Sequence, residues 1–184
     1  MKLVQILSSA LLAILITSCS SIEMPKGKQS RGNYQSARLV KTRSGVGASD
    51  TARVTNANTS VHQAIESQFK SHNLAFGNPN AELIVAYMLI GQTNGATTMN
   101  IDYFGSGRDP QAILDEAHQR GAIDNKRPDA FKSGALVVDI IDARTNKLVF
   151  RNFTRRDILE GAQPSQQDAR IKAAVAEVLA PFFR

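Results

Sequence analysis

The chain has 184 residues, of which 42% are hydrophobic and 6% aromatic, and it carries a formal net charge of +6 at pH 7. These values are ordinary for one globular domain with an aliphatic core. The absence of tryptophan argues against a surface that stacks sugars or single-stranded nucleic acid. A single cysteine, Cys19, excludes an internal disulfide.

Residues 1–18 have the pattern of a secretory signal peptide, because Lys2 precedes an apolar run. Charged, turn-rich sequence begins soon after Cys19, so a permanent membrane span is not expected. Ile16-Thr17-Ser18-Cys19 resembles the bacterial lipobox, in which the cysteine thiol is acylated, for example with palmitate, and becomes the mature N-terminus. We therefore expect a lipid anchor on Cys19, the alternative being an unreactive cysteine in a signal segment.

The residue after the cysteine is Ser20 rather than the aspartate that commonly retains lipoproteins in the inner membrane. By that resemblance we expect attachment to the outer membrane of the cell envelope, with the domain facing the periplasm. A location outside the cytoplasm makes anionic lipid, glycan or an envelope protein the expected partner of the basic chain, and not nucleic acid.

Residues 19–36 are interpreted as a basic tether. Between residues 20 and 45 only Glu23 opposes the basic side chains of Lys26, Lys28, Arg31, Arg38, Lys41 and Arg43. These six are candidates for contact with anionic headgroups. A solvated linker kept soluble by its charge is the simpler alternative.

The first predicted elements are a strand over about residues 37–42 and a helix over about 60–72. Ser60 and Gln63 have capping-box spacing at the start of that helix. The segment "AELIVAYMLIG", residues 81–91, is apolar on both alternating faces, which is typical of a central strand with both faces covered. Asn94-Gly95 is a strong hairpin turn signal, so residues 83–104 are predicted to form a β-hairpin.

Asp109-Pro110 predicts the start of a second helix, with Asp109 as its cap, and Gly121 predicts its end. Residues 134–158 predict a second hairpin, whose turn places Asn146 in the left-handed conformation. Ser165 and Asp168 are predicted to cap a last helix. Its apolar stripe consists of Ile171, Val175, Val178, Leu179 and Phe182.

The order of elements is thus strand, helix, hairpin, helix, hairpin, helix. Because short turns join neighbouring strands, we expect a mostly antiparallel sheet built from two β-hairpins, with about three helices packed on it. This is an α+β fold of a single domain over residues 37–184.

The segments "AELIVAYML", "GALVVDIIDARTNKLVFRN" and "RIKAAVAEVLAPFF" resemble the bacterial envelope lipoproteins grouped as domain of unknown function 4136. The resemblance covers roughly residues 60–184 and is most specific in the second hairpin. There Phe150 and Asn152 replace a usual tryptophan and glycine. The resemblance implies a small α+β domain on a lipid anchor, and it supplies no catalytic residues.

The sequence offers little for catalysis or metal binding. Glu116, His118, His62 and His72 do not have metal-ligand spacing, so no metal or other cofactor is expected. The segment "FGSGRD", residues 104–109, lacks the nucleophile elbow and the P-loop lysine. Asp139 and Asp142 are spaced by three, on opposite faces of a strand, which favours a salt-bridged or exposed Asp139 and a turn-capping Asp142.

The second hairpin is rich in basic residues that could meet an anionic partner, although such charges are usually a solvated sheet face. The binding candidates are Arg144, Lys147, Arg151, Arg155 and Arg156. The leading hypothesis is a non-enzymatic lipoprotein that binds or scaffolds another envelope component. The alternatives are a carrier or sensor of an anionic lipid or glycan, and an envelope hydrolase. A hydrolase would need converging acids, for example Asp102, Asp109, Glu116 and His118 around one cleft.

Overall fold

The computed structural model of the chain describes residues 30–40, 52–93, 96–104, 109–123, 133–157 and 161–184. The predicted signal peptide and Cys19 lie outside these ranges, as do Lys26, Lys28, Lys41 and Arg43. Among the described residues, no helix has both the length and the apolar character that crossing a membrane requires.

The described elements confirm an α+β fold with three helices. In chain order they are β1 (Ser36–Leu39), α1 (Ala52–Ser71), β2 (Ala75–Phe76), β3 (Leu83–Thr93), β4 (Ala96–Phe104), α2 (Pro110–Gln119), β5 (Ser133–Asp142), β6 (Leu148–Asp157) and α3 (Pro164–Leu179). All six strands belong to one sheet, in the order β2-β1-β3-β5-β6, with β4 also paired to β3.

The sheet is mixed, so the prediction of a mostly antiparallel sheet built from two hairpins was wrong. The pairs β3–β4 and β5–β6 are antiparallel, as is β3–β5 between them. However, β1 runs parallel to both β2 and β3. The physical reason is the connection: α1 lies between β1 and β3, and a strand that returns through a helical crossover pairs in parallel.

Strand β3 lies at the centre of the sheet, as its apolar sequence predicts. One edge pairs with β5 over its length, and the other edge pairs first with β1 and then with β4. Val85 and Tyr87 face the layer formed by α1 and α3, whereas Met88 and Ile90 face α2. Because side chains alternate along a strand, this one segment supplies apolar groups to both layers of the core.

Helix α2 begins and ends where the sequence predicts. The Asp109 side chain accepts a hydrogen bond from the backbone N–H of Gln111 at 2.9 Å, with Pro110 as the first helical residue. Gly121 follows the helix with φ of 68°, a left-handed conformation that costs glycine little.

The starts of the other two helices correct the prediction. Helix α1 begins at Ala52 and not near Ser60, and its early turns are held by tertiary contact: Asn58 accepts a hydrogen bond from the buried Tyr87 hydroxyl at 3.1 Å. Helix α3 begins at Pro164, where the Gln166 side chain accepts a hydrogen bond from the Gln163 backbone N–H at 3.1 Å. Ser165 and Asp168 therefore lie inside the helix and do not cap it.

Candidate functional site

The strongest polar cluster of the described residues lies inside the sheet, where β5 and β6 place Asp139 directly opposite Arg151. Nε and Nη2 of Arg151 donate to the two carboxylate oxygens of Asp139, both at 2.6 Å. The Arg151 side chain is 1% exposed and that of Asp139 is 0% exposed. A two-pronged pair of this kind fits the planar guanidinium and fixes both side chains.

Helix α2 adds a second carboxylate to this cluster. Nη1 of Arg151 donates to Glu116 at 2.8 Å, and the other oxygen of Glu116 lies 2.8 Å from Arg120, at ion-pair distance but without hydrogen-bond geometry. Arg120 in turn lies over the Phe153 ring of β6, 5.0 Å from its centroid. Two carboxylates and two guanidinium groups thus join α2 to the sheet. We call Glu116, Arg120, Asp139 and Arg151 the ion cluster.

The carboxylates of the ion cluster keep Arg151 in its charged form and accept hydrogen bonds from its guanidinium group. Burial by itself would lower the pKa of Arg151, but hydrogen bonds and charge from Asp139, followed by those from Glu116, outweigh burial and raise that pKa. The guanidinium therefore binds groups of its own chain. The structure places this binding candidate in the core and not on the surface.

The other basic residues of the second hairpin separate into two groups at opposite ends of β6. Arg144 and Lys147 are exposed in the turn between β5 and β6. At the far end, Arg156 pairs with Glu177 of α3, while Arg155 is half-buried on the opposite face of the strand. At about 3.3 Å per residue, Lys147 and Arg155 are separated by roughly 26 Å. The five binding candidates are not brought together into one surface.

Two of the tether candidates fall within the described residues. Arg31 packs on the domain: its backbone N–H donates to the Phe182 carbonyl at 2.7 Å, and its Nη1 donates to the His72 carbonyl at 2.7 Å. Arg38 lies half-buried in β1 beside Ile84, and its Nη1 donates to the Leu39 carbonyl at 3.3 Å. Arg31 is thus the first described residue that connects the N-terminal segment both to the residue after α1 and to Phe182.

Arg31 belongs to one end of the domain, where distant parts of the sequence meet. Strands β1, β2 and β3 begin at this end and β5 finishes there. Phe183 stacks on His72 with ring centroids 3.9 Å apart. Glu82 accepts hydrogen bonds from the backbone N–H groups of Gln35 and Ser36. We call the segments at this end the tether end: residues 31–36, 72–74, 78–82, 142–147 and 182–184.

The N-terminal segment is also held to the turn between β5 and β6. The Tyr34 hydroxyl donates to Asp142 at 2.7 Å, and the same carboxylate accepts the backbone N–H of Thr145 at 2.7 Å. The turn-capping role predicted for Asp142 is therefore confirmed, and Asn146 has a φ of 54°, the predicted left-handed conformation. Burial and the hydrogen bond to Asp142 raise the pKa of Tyr34, against a lowering by the charge of Arg144. The structure thus places Arg144 near the N-terminal segment.

We expect this contact to make stability depend on pH in the acid range. The hydrogen bond from Tyr34, followed by that from the Thr145 backbone, lowers the pKa of Asp142 from 3.8 to about 2. A lowered pKa in the folded state stabilises the fold above pH 4, and this contribution is lost as the pH falls from about 4 to about 2. In Tyr34→Phe we expect a smaller loss over that range, measured as the urea-derived free energy of unfolding between pH 2 and pH 6. Asp142→Asn, which cannot titrate, is the control, and a Tyr34→Phe profile as steep as wild type would contradict the assignment.

The acids that a hydrolase would need, where the structure describes their side chains, are each engaged in contacts of the fold. Asp109 caps the start of α2, Glu116 binds Arg151 on the sheet side of the same helix, and Asp142 lies at the tether end. Asp102 lies on β4, whose backbone alone the structure describes. Nδ1 of His118 is buried and has no hydrogen-bond partner within the described part of the chain.

The other two histidines lie apart from His118, on the opposite layer. His62 packs edge-on against Tyr87, with ring centroids 5.4 Å apart, and its burial lowers its pKa. His72 lies at the tether end against Phe183. No group of three or more potential metal ligands occurs among the described residues.

Comparison with known proteins shows the family of this chain. A family model described as "Domain of unknown function (DUF4136)" matches residues 31–182. No curated protein sequence matches the chain. Among solved structures, a PelC dodecamer from Paraburkholderia phytofirmans is 11% identical over 87% of this chain and 94% of its own, with a TM-score of 0.43. A PDZ domain protein from Parabacteroides distasonis is 12% identical over 83% of this chain and 33% of its own, with a TM-score of 0.45.

Proposed function

Since this chain belongs to the family described as domain of unknown function DUF4136, which by itself assigns no activity, we propose a function from its own residues. We propose that it is a non-enzymatic lipoprotein, anchored in the outer membrane through acylated Cys19. Its domain faces the periplasm and binds or scaffolds another component of the cell envelope.

One observation carries the non-enzymatic part of the proposal: of the five acids considered for chemistry, the four whose side chains the structure describes serve the fold. Asp139 and Glu116 neutralise the buried Arg151, Asp142 fixes the turn against Tyr34, and Asp109 caps α2. A general acid or base needs a reachable substrate and a pKa suited to proton transfer near the working pH. Carboxylates engaged in ion pairs, in a turn and in a helix cap support a structural role for these acids. A scaffold needs a domain of this kind.

The anchoring part of the proposal is supported by the sequence around Cys19. A thiolate is the side chain best suited to accept an acyl group, and the chain holds no second cysteine that could pair with it. Each buried methylene contributes about 0.8 kcal/mol, so several acyl chains would hold the protein at a membrane. Arg31, where the described domain begins its contacts, follows Cys19 by only 12 residues. The domain would therefore stay close to the membrane.

We expect Cys19→Ala to lower the membrane-bound fraction of the protein by about tenfold or more, because the variant lacks the acceptor for the acyl chains. The measurement is quantitative blotting of membrane and soluble fractions from the producing cells. Ser21→Ala, a small polar change two residues further on, is the matched control and should fractionate like wild type. A Cys19→Ala protein that stays fully in the membrane fraction would overturn the anchor.

Crosslinking of the full-length protein in intact cells, followed by mass spectrometry, tests the scaffold. We expect one reproducible envelope protein that is absent from the Cys19→Ala sample. Adducts of lipid or glycan alone would favour the carrier function instead, for which the exposed Arg144 and Lys147 supply positive charges that an anionic ligand would contact.

A further inference from the structure

The tether end brings together three parts of the chain that are remote in sequence. Arg31 at its start contacts Phe182 and His72, and Tyr34 contacts the turn that carries Arg144 and Lys147. Arg31 and two of the basic candidates of the hairpin thus lie at the same end of the sheet. The remaining hairpin candidates on the surface, Arg155 and Arg156, lie at the opposite end of β6.

The cations of the tether end outnumber its acids. Glu82 accepts hydrogen bonds from Gln35 and Ser36, and Asp142 accepts them from Tyr34 and Thr145. These donors are neutral, so both carboxylates keep their negative charge and four cations face two acids. Arg31 donates to carbonyl oxygens, which carry no formal charge, so its positive charge is not cancelled by these contacts. The cations of this end are Arg31, Arg144, Lys147 and Arg184.

The length of the chain between Cys19 and Arg31 favours this end over the other. Twelve residues span at most about 40 Å when fully extended. A domain of about 150 residues is itself roughly 40 Å across, from its expected radius of gyration. The opposite end could reach the membrane only if the tether ran straight along the whole side of the domain. At any shorter distance between Cys19 and Arg31, the tether end is the part of the domain closest to the bilayer.

From this placement we propose that the tether end is a membrane-docking surface, which rests on the anionic lipid surface that holds the acylated Cys19. The inference rests on the proposed lipid anchor. Basic groups near an anionic bilayer are attracted to it within about one Debye length, so the contact depends on salt. Docking sets the orientation of the domain: the end of α3, next to Phe182, lies near the bilayer, and the start of α3 points away from it into the periplasm.

The test uses the full-length acylated protein in vesicles of phosphatidylethanolamine and phosphatidylglycerol with spin-labelled headgroups. One added cysteine carries a fluorophore, at Asn80→Cys in the tether end or at Ser165→Cys in the first turn of α3. These positions are exposed, and α3 separates Ser165 from the tether end by about 24 Å. We expect the headgroups to quench the Asn80 label strongly and the Ser165 label weakly.

Variants with reversed charges show whether charge attraction docks the tether end on the bilayer or whether the anchor alone keeps it nearby. Arg144→Glu/Lys147→Glu should lower the ratio of docked to undocked domain by about tenfold or more, and the Asn80 label should lose most of its quenching. The matched control, Arg155→Glu/Lys172→Glu, changes the same number of charges away from the tether end and should behave like wild type. Thermal unfolding of each variant shows whether it remains folded.

Equal quenching of both labels, stronger quenching at Ser165, or quenching unaffected by Arg144→Glu/Lys147→Glu would overturn the docking surface. Flotation of the same vesicles separates this failure from failure of the anchor. A protein that floats with the vesicles but shows no preferred label refutes docking alone. One that does not float refutes the anchor on which docking depends.

Discussion

Replacing Arg151 by methionine is expected to lower the free energy of unfolding by about 3–5 kcal/mol, because the change leaves a buried carboxylate without its counter-charge. Asp139 is fully buried, and both of its oxygens accept hydrogen bonds from Arg151. Glu116 loses a partner as well, so α2 should detach from the sheet more readily. Urea denaturation measures the total loss, and hydrogen exchange in α2 measures the local one.

Two further variants show whether the loss comes from the unpaired charge. Arg156→Met removes the partly exposed pair with Glu177 and should cost about 0–1 kcal/mol. Asp139→Leu combined with Arg151→Met replaces the buried pair by apolar groups and should recover most of the stability lost in Arg151→Met alone. If Arg151→Met were as mild as Arg156→Met, the ion cluster would not be holding α2 in place.

The second large effect is expected from Phe182→Ala, which should cost about 3–5 kcal/mol through lost burial and the cavity left behind. Phe182 is 0% exposed. Its ring centroid lies 5.4 Å from that of Phe150 on β6 and 6.0 Å from that of Phe69 on α1. It therefore joins the end of the chain to both the sheet and the first helix, and thermal or urea unfolding measures its contribution.

The neighbouring residue is the matched control for this prediction. Phe183 is half-buried and contacts the rings of His72, Phe69 and Phe182, so Phe183→Ala removes less buried area and leaves a surface notch rather than a closed cavity. We expect its cost to be about 1–2 kcal/mol, the value of one or two aromatic pairs and below that of Phe182→Ala. Equal losses in the two variants would show that the deep position of Phe182 has no special role.

The sequence predicts those parts of the fold that local patterns determine. The apolar segment of β3, the strand pair β5–β6 and the Asp109 cap of α2 each depend on neighbouring residues, and each is found as predicted. The direction of β1 and the two-residue strand β2 depend instead on where α1 returns the chain. No local pattern contains that information, which is why the parallel part of the sheet was missed.

Part of the ion cluster could be predicted from the sequence. Once the second hairpin is placed with its turn after Asp142, the register sets Asp139 opposite Arg151, and opposite charges across an apolar pair of strands indicate a buried pair. Glu116 was not predictable in the same way, because the face that α2 turns to the sheet depends on tertiary packing. The contact of Tyr34 with Asp142 joins residues separated by 108 positions and needs the complete fold.

The placement of Arg31 beside Phe182 determines how the domain would respond to a mechanical load. Tension on the proposed anchor would reach the domain at Arg31, whose backbone N–H donates a hydrogen bond to the Phe182 carbonyl at 2.7 Å. Beyond that point the load passes into β1, which runs away from the attachment and is hydrogen-bonded to strands on both sides. Pulling along a strand strains its hydrogen bonds together, in shear, whereas pulling across it would open them one at a time. Strand β1, whose parallel direction the sequence did not predict, would thus be the element that resists detachment of the domain from the proposed anchor.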